Sequence, residues 1–318
     1  MTPAIDIHEL TKDYPIGFWR PRPYRALDRL TLSVERGEVF GFLGPNGAGK
    51  TTTLKLLMQL VFPTSGHAEI LGRPVGGLDV RRRIGYLPEN PYFYDNLTAE
   101  ELLTYFAGLF DIPSADRRLR AAGLLDQVGI GAERRMQMRK YSKGMVQRVG
   151  LAQALINDPE VVFLDEPMSG LDPLGRRDIR ALILRLRDEG KTIFFSSHIL
   201  ADAETLCSRA AIVAGGRLAT SGRLADMAGY EVRGWEVVMA NVSPELLAKA
   251  ADTSAKATPV SEQRYTFELP RDARPERFIA ELASAGAVLV SLNPLHTTLE
   301  EIFVRQVALT SSAREGAL

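Results

Sequence analysis

The chain has 318 residues, of which 45% are hydrophobic and 25% charged, a composition typical of globular domains and long enough for one large domain plus a small one. Lys plus Arg and Asp plus Glu both number 39, and this balance argues against a nucleic-acid binder, which usually carries a basic excess. The single cysteine, Cys207, excludes an internal disulfide framework and fits a reducing compartment.

Membrane segments are not predicted. The apolar runs all fall well short of the ~20 residues that a spanning helix needs. The amino terminus, MTPAIDIHEL, lacks the charged and apolar regions of a secretory signal. We therefore expect any membrane role to depend on a partner.

Residues 1 to about 222 alternate strand-like and helix-like segments. AIDIHEL and LTLSVERG alternate apolar and polar residues, which predicts half-buried antiparallel strands. EVFGFLG, VVFLDEP and KTIFFSSH are continuous apolar runs, typical of central strands covered on both faces. A capping box, Thr98 with Glu101, precedes the helical pattern LLTYFAGLF. The pattern predicts an α/β domain with an antiparallel edge layer and a helical subdomain at about 90–158.

The first motif with chemistry is a glycine-rich turn. FLGPNGAGKTTT follows the strand EVFGF, opens the helix TTLKLLMQL, and fits the pattern G-x-x-x-x-G-K-[ST]. Glycines let backbone N–H groups converge on a phosphate, and the helix N-terminus adds a positive dipole. Lys50 would reach the β- and γ-phosphates, and the Thr51 hydroxyl would bind Mg²⁺. The predicted nucleotide-binding residues of this P-loop are Gly44, Pro45, Asn46, Gly47, Ala48, Gly49, Lys50, Thr51 and Thr52.

A second phosphate-binding turn is predicted in RKYSKGMVQRVG. Ser142 and Gly144 stand where an apolar helical pattern begins, so a hydroxyl, open backbone amides and the helix dipole meet there. The alternative is an amphipathic helix with a capped start. Because the P-loop already encloses one nucleotide, a second phosphate site makes sense if it serves an ATP bound to another copy of the chain.

Two adjacent carboxylates follow the buried strand VVFL. Strand alternation sends Asp165 and Glu166 to different sides. Asp165 would hold Mg²⁺ directly or through water, and Glu166 would face the attacking water as general base. The alternative is a strand-end turn with solvated acids.

The last third, residues 223–318, has a different pattern. We predict a strand, a helix, two strands around Thr258–Leu269, a helix, a strand, and a final helix at Leu299–Val307. The order βαββαβ favours a small ferredoxin-like domain, and we find no catalytic motif in it.

Together these motifs resemble the ABC ATPase family. YSKGMVQR is similar to its signature, with Tyr141 for the usual leucine and Lys143 for the usual first glycine. SGLDP resembles the D-loop, with Asp172 as its aspartate, and FFSSHIL resembles the switch region, with His198 contacting the γ-phosphate. The resemblance implies catalytic roles for Glu166, His198 and Lys50.

Two further positions follow from the resemblance. Tyr14, at the end of the first strand, matches the aromatic residue that stacks on adenine, although Phe18, Trp19 and Tyr24 are rivals in the insertion after it. Glu89 stands where the family's Q-loop supplies a glutamine, so the resemblance makes it a candidate Mg²⁺ ligand beside Thr51 and Asp165. An ionised carboxylate cannot donate a hydrogen bond as that glutamine does.

The family resemblance implies the ATP-hydrolysing subunit of a membrane transporter, with ATP and Mg²⁺. Two copies, or this chain and a sibling ATPase, would pair head to tail at the cytoplasmic face of the membrane and drive a separate transmembrane permease. The carboxy-terminal third, with TLEEIFV, resembles drug, lipid and polysaccharide exporters. The alternative is a soluble ABC ATPase acting on nucleic acid or the ribosome, which zero net charge and the single P-loop disfavour. A P-loop kinase is a weaker alternative.

Overall fold

The amino-terminal strands form the antiparallel layer that the sequence predicts. The computed structural model describes residues 2–17, 19, 22–227, 232–251 and 256–296. A four-stranded antiparallel sheet has the order β2-β1-β4-β5. Its strands are β1 (Ile5–Ile16), β2 (Arg22–Val34), β4 (Ser65–Ile70) and β5 (Arg73–Pro74).

A six-stranded mixed sheet forms the centre of the first compact unit. Its strands are β3 (Val39–Leu43), β6 (Ile84–Leu87), β7 (Val161–Asp165), β8 (Thr192–Ser197), β9 (Arg209–Ala214) and β10 (Arg217–Arg223). Their order is β10-β9-β3-β8-β7-β6, parallel except for β10. Every residue of β3, β7 and β8 is buried, which confirms the prediction of central strands.

The same unit also contains helices. They are α1 (Lys50–Leu57), α2 (Leu78–Arg81), α3 (Ala99–Leu109), α4 (Ser114–Gln127), a 3₁₀ turn (Met138–Lys140), α5 (Lys143–Ala154), α6 (Pro173–Asp188) and α7 (Leu200–Leu206). The short helix α8 (Leu224–Met227) begins at the last residue of this unit. The capping box at the start of α3 is present, because Thr98 Oγ1 accepts the Glu101 N–H and Glu101 accepts the Thr98 N–H.

The core of this unit is aromatic where the P-loop strand meets its neighbour. The rings of Phe40 and Phe42 lie 5.8 and 5.2 Å from that of Phe194, and all three side chains are fully buried. Aromatic pairs at these spacings add to the stabilisation that burial provides. The strand ends that carry the motifs therefore extend from a rigid, close-packed layer.

The second compact unit begins at Ala225. Its elements are β11 (Val232–Ala240), α9 (Pro244–Ala251), β12 (Lys256–Ser261), β13 (Arg264–Pro270), α10 (Pro275–Ser284) and β14 (Val288–His296). The antiparallel order β12-β13-β11-β14 is the ferredoxin-like arrangement, and Phe267 packs edge-on against Phe278 at 5.3 Å in its core. The predicted helix at 299–307 lies outside the described residues.

The chain divides into these two units after Leu224. We predicted from the sequence that two independent domains meet after residue 222, and their independence stays a prediction. Among the residues that the structure describes, no helix is both long and apolar enough to cross a membrane.

Candidate functional site

The P-loop connects the buried strand β3 to helix α1, and its glycines are required by geometry. Gly49 has φ +105°, and a Cβ there would lie 2.7 Å from the Ala26 carbonyl oxygen. A Cβ on Gly44 would lie 2.4 Å from the Val213 carbonyl oxygen. Only glycine lets the turn pack this closely against neighbouring backbone. No side chain caps the N-terminus of α1 at Gly49, which leaves its first amides for an anion.

The side chain of Lys50 folds back onto the backbone of the P-loop and is almost fully buried. Its Nζ donates to the carbonyl oxygens of Gly44 at 2.7 Å and Pro45 at 3.3 Å. The same nitrogen lies 3.3 Å from Glu166 Oε1. The ammonium group therefore joins the phosphate-binding turn to the end of β7, where the two adjacent carboxylates stand.

Asp165, the last residue of β7, is fully buried. Ser196 Oγ donates to its Oδ1 at 2.5 Å, whereas its Oδ2 has no hydrogen-bond partner among the described residues. Burial raises the pKa of Asp165, and the hydroxyls of Ser196 and Thr51 oppose part of that rise. A buried carboxylate oxygen without a partner, next to a threonine hydroxyl, fits the oxygen-ligand chemistry of Mg²⁺.

Glu166 is held in an uncommon backbone conformation. Its φ is +49°, a region that costs a non-glycine residue roughly 1–2 kcal/mol. Its N–H is within 3.1 Å of Ser196 Oγ and 3.3 Å of the Ser196 carbonyl oxygen, which fixes the turn. Its Oε2 lies 2.9 Å from His198 Nδ1. The carboxylate is thus placed between an imidazole and the Lys50 ammonium.

Lys50, Glu166 and His198 line one cleft of about 530 Å³, whereas the fully buried Asp165 is not among its lining residues. Outside the P-loop, its lining residues are Tyr14, Tyr24, Ala26, Glu89, Glu166, Ser169 and His198. From the P-loop, Pro45, Asn46, Gly47, Gly49, Lys50, Thr51 and Thr52 line it. The predicted residues Gly44 and Ala48 are buried behind this surface. The cleft therefore offers backbone amides and an ammonium group for phosphates, a carboxylate near the ammonium group, and two tyrosines.

The predicted signature residues lie together, but they do not line this cleft. Ser142 caps α5 by accepting the Met145 N–H at 3.3 Å, which leaves its own O–H free to donate to a ligand. A Cβ on Gly144 would lie 3.2 Å from Leu171, so the signature turn packs against the D-loop segment. Asp172 is exposed and caps α6 through the Gly175 N–H.

Comparison with known proteins decides the family. Residues 27–169 match the ABC transporter family. An uncharacterized ABC transporter ATP-binding protein of Synechocystis is 46% identical over 306 residues, which cover 96% of this chain and 84% of that protein. The chain belongs to the ABC transporter ATP-binding proteins. It is therefore an ABC ATPase, as its motifs predict.

Two more comparisons describe this ABC ATPase further. A fluoroquinolones export ATP-binding protein of Mycobacterium tuberculosis is 42% identical over 219 residues, 68% of this chain and 70% of that protein. A dimeric structure of the ATP-binding cassette MJ0796 in a post-hydrolysis state, bound to ADP and Pi, superposes with a TM-score of 0.64. That structure is 26% identical and covers 69% of this chain and 98% of its own.

Two tyrosines of this ABC ATPase line the cleft and are candidates to stack on the base of ATP. Tyr14 and Tyr24 are cross-strand partners on β1 and β2, and both line the cleft. Lys12 Nζ lies 5.0 Å from the centre of the Tyr14 ring. Trp19 is 90% exposed and is not a lining residue, and Phe18 lies outside the described residues. Which ring contacts the base stays a prediction.

Glu89 lines the cleft at an exposed position. Within the described part of the chain, no three His, Cys, Asp or Glu side chains form a group that could hold a metal ion. The predicted Mg²⁺ contact of Glu89 therefore stays a prediction, as do those of Thr51 and Asp165.

Sequence reasoning missed Ser196 as part of the ABC ATPase site. This residue is fully buried, and its hydroxyl bridges both carboxylate-bearing residues of β7 and the turn after it. The only signal in the sequence was a serine within a buried apolar strand, which needs a hydrogen-bond partner. The partner itself follows from the structure, because the parallel pairing of β7 and β8 places Asp165 opposite Ser196.

Proposed function

We propose that this chain is the ATP-hydrolysing subunit of an exporter, and that two copies close head to tail on two ATP molecules to drive a separate transmembrane permease. The observation that carries the proposal is the separation of two sets of phosphate-binding groups. The P-loop cleft holds one set, while Ser142 and Gly144, packed beside the D-loop, form another on a surface outside that cleft. A second copy of the chain would bring the two sets to the same phosphate.

The residues of the cleft support a division of labour in hydrolysis. The triphosphate would bind the α1 amides and Lys50, which then exchanges its contact with Glu166 for the phosphates. Glu166 Oε1 is thereby free to accept a proton from the attacking water. Water oxygen bonds to the γ-phosphorus, the bond to the bridging oxygen breaks, and ADP and phosphate are the products. His198 would orient Glu166 through the 2.9 Å contact of Nδ1.

Thr51 and Asp165, with Glu89 as a third candidate, would hold Mg²⁺. The ion supplies positive charge that neutralises the phosphate oxygens. Ser196 would keep the Asp165 carboxylate turned so that one oxygen remains for this purpose, in agreement with its hydrogen bond to Oδ1 alone.

A groove beside the Q-loop supports docking of a permease. It has a volume of about 370 Å³ and is lined by Tyr86, Pro91, Tyr92 and Phe93 among others. Tyr92 is 86% exposed and Tyr94 is 68% exposed, an unusual exposure for large aromatic side chains. Because Pro91, Tyr92 and Phe93 of this groove follow Glu89 closely in sequence, closure around ATP would move the docking surface. The export direction is proposed from the named exporter relative. The position at the cytoplasmic face is proposed from the family resemblance of the motifs.

Two substitutions test the hydrolysis assignment. Lys50→Ala should abolish tight ATP binding, with Lys55→Ala, an exposed lysine on the same helix, as the control that retains it. Glu166→Gln should keep ATP binding and lower turnover by a factor of about 10²–10⁴, the usual contribution of a general base. Turnover by Glu166→Gln at the wild-type rate would refute the assignment.

The transport assignment needs a separate experiment. The chain should copurify with membranes only when its multi-helix partner is coexpressed, and alanine substitution of Tyr92 should weaken that association. Copurification with ribosomes or nucleic acid instead would favour the soluble alternative.

A further inference from the structure

The positive charges of this chain are unevenly distributed. Residues 117–148 contain nine Lys and Arg residues and only two Asp and Glu residues, whereas the whole chain has 39 of each kind. This segment covers most of α4, the loop after it and the first half of α5. The net charge of zero therefore conceals a local basic excess, and such a patch favours an anionic partner.

Part of this excess lines a cleft formed by α3, α4 and the loop after α4. The cleft has a volume of about 670 Å³, and Arg117, Arg118 and Arg135 line it together with Glu100 and Tyr105. We call it the basic cleft. The side chains of Arg118 and Arg135 are 74% and 75% exposed, so their guanidinium groups are open to a ligand.

Glu100 holds the arginines of the basic cleft in place. This residue is only 6% exposed. Arg118 Nε donates to its Oε1, and the Nε atoms of Arg134 and Arg135 lie 3.5 and 3.6 Å from its Oε2. One carboxylate neutralises one guanidinium group, and the other carboxylate of the cleft, Glu101, is used in the capping box of α3. A positive excess therefore remains at fixed positions.

The basic cleft adjoins the groove that we propose for the permease. Phe93 and Phe106 line that groove, and the ring of Tyr105, which lines the cleft, lies edge-on to Phe106 at 5.8 Å. The Met138 N–H also donates to the Leu97 carbonyl oxygen, which joins the loop with the arginines to the chain that follows the groove. A permease docked in the groove would thus bring the membrane surface close to the cleft.

Large side chains are exposed beside the arginines. Tyr105 is 55% exposed and Leu109 is 60% exposed, and their spacing of four residues places them on one face of α3. Aromatic and apolar side chains mixed with basic ones are typical of surfaces at the membrane–water boundary. A free phosphate ion would use the arginines alone, so a lipid headgroup fits this surface better.

We infer that the basic cleft binds the phosphate groups of anionic lipids in the membrane that holds the permease. The inference rests on the proposed function, which places the chain at a membrane, and adds a lipid contact to it. Guanidinium groups offer paired N–H donors that match phosphate oxygens. The attraction to an anionic membrane surface acts within a Debye length, about 8 Å at physiological salt. The lipid contact therefore strengthens docking and weakens as the salt concentration rises.

The test measures cosedimentation of the full chain with lipid vesicles at low salt. Vesicles of phosphatidylcholine are compared with vesicles that also contain the anionic lipid phosphatidylglycerol. The wild-type chain should bind the anionic vesicles more tightly, and added salt should remove that difference. Replacing both Arg118 and Arg135 by Gln should weaken binding to anionic vesicles by about 25-fold, or about fivefold for each charge.

Further variants separate charge from folding. Arg135→Gln alone leaves the hydrogen bond of Arg118 to Glu100 in place, so it tests the cleft even if the double variant does not fold, and it should lose about fivefold. Lys at both positions should retain most of the binding, because the charges remain. Replacing Arg177 and Arg187 of α6 by Gln removes the same charge from another surface and should change binding by less than about twofold.

The outcomes distinguish the lipid contact from the proposed function. Equal binding of the wild-type chain to both kinds of vesicle, or equal losses in the cleft and control variants, would overturn the lipid contact and leave the proposed function standing. Copurification of the permease in detergent, without added lipid, should be the same for the wild-type chain and Arg135→Gln. A fivefold loss there would assign the arginine to an acidic permease segment and overturn the lipid contact. Failure of the wild-type chain to associate with any permease would overturn both.

Discussion

Replacing Ser196 by alanine removes one hydroxyl that serves both acidic residues of the hydrolysis site. Asp165 loses its donor at 2.5 Å, and the Glu166 N–H keeps only the carbonyl oxygen at 3.3 Å. A hydrogen bond to a charged group contributes about 1.5–3 kcal/mol, so we expect the free energy of unfolding to fall by about 2 kcal/mol. Because a buried carboxylate would also lose its main stabilising contact, the pKa of Asp165 should rise further.

Urea denaturation measures the stability, and steady-state phosphate release measures turnover. Ser197→Ala is the matched control, because among the residues that the structure describes this neighbouring hydroxyl forms hydrogen bonds with the backbone of Ile199 alone. We expect the control to lose about 1 kcal/mol and to keep its turnover, whereas Ser196→Ala should lose both stability and turnover. Equal stability and equal turnover in the two variants would refute the argument that Ser196 positions the carboxylates.

Three further predictions concern other charged and aromatic groups. The Arg118 guanidinium holds the pKa of Glu100 below its ordinary value of 4.5, and because the arginine is largely exposed, Glu100→Gln should lower the free energy of unfolding by only about 1 kcal/mol at pH 7. That difference should disappear as the pH falls through the native pKa of Glu100, and a loss unchanged at low pH would contradict the ion pair. Tyr14→Ala should weaken fluorescent-ATP binding by about tenfold if its ring stacks on the base, and a larger effect of Tyr24→Ala would exchange their roles. Glu89→Gln should raise the Mg²⁺ concentration needed for half-maximal turnover without weakening ATP binding in EDTA, and an unchanged Mg²⁺ dependence would remove Glu89 from the candidate ligands.

The sequence predicted best those elements that a short window of residues determines. The strand–turn–helix around Gly44–Thr51, the capping box at Thr98, and the βαββαβ order of the second unit all follow from patterns within short windows. Short elements without a clear period, such as β4 and α2, were not predicted. β4 gains its stability by pairing with the distant strand β1, so its own residues carry little signal.

The parts of the site that could not be predicted from the sequence depend mostly on contacts between distant segments of the chain. The ion pair of Lys50 with Glu166 and the bridging hydroxyl of Ser196 depend on the order of β3, β8 and β7 in the sheet. The positive φ of Glu166 is imposed by hydrogen bonds to that same neighbouring strand. The Lys143 side chain likewise lies against Gly170, so the signature turn contacts the D-loop although these two residues are 27 positions apart in the chain.

The most direct measurement of the account is the oligomeric state of the Glu166→Gln chain with saturating ATP and Mg²⁺, determined by analytical ultracentrifugation. We predict a dimer with ATP and a monomer with ADP, and Ser142→Arg in the same chain should abolish the dimer without preventing ATP binding. A chain that remains monomeric with ATP, even beside its membrane partner, would contradict the claim that each nucleotide is bound by two copies.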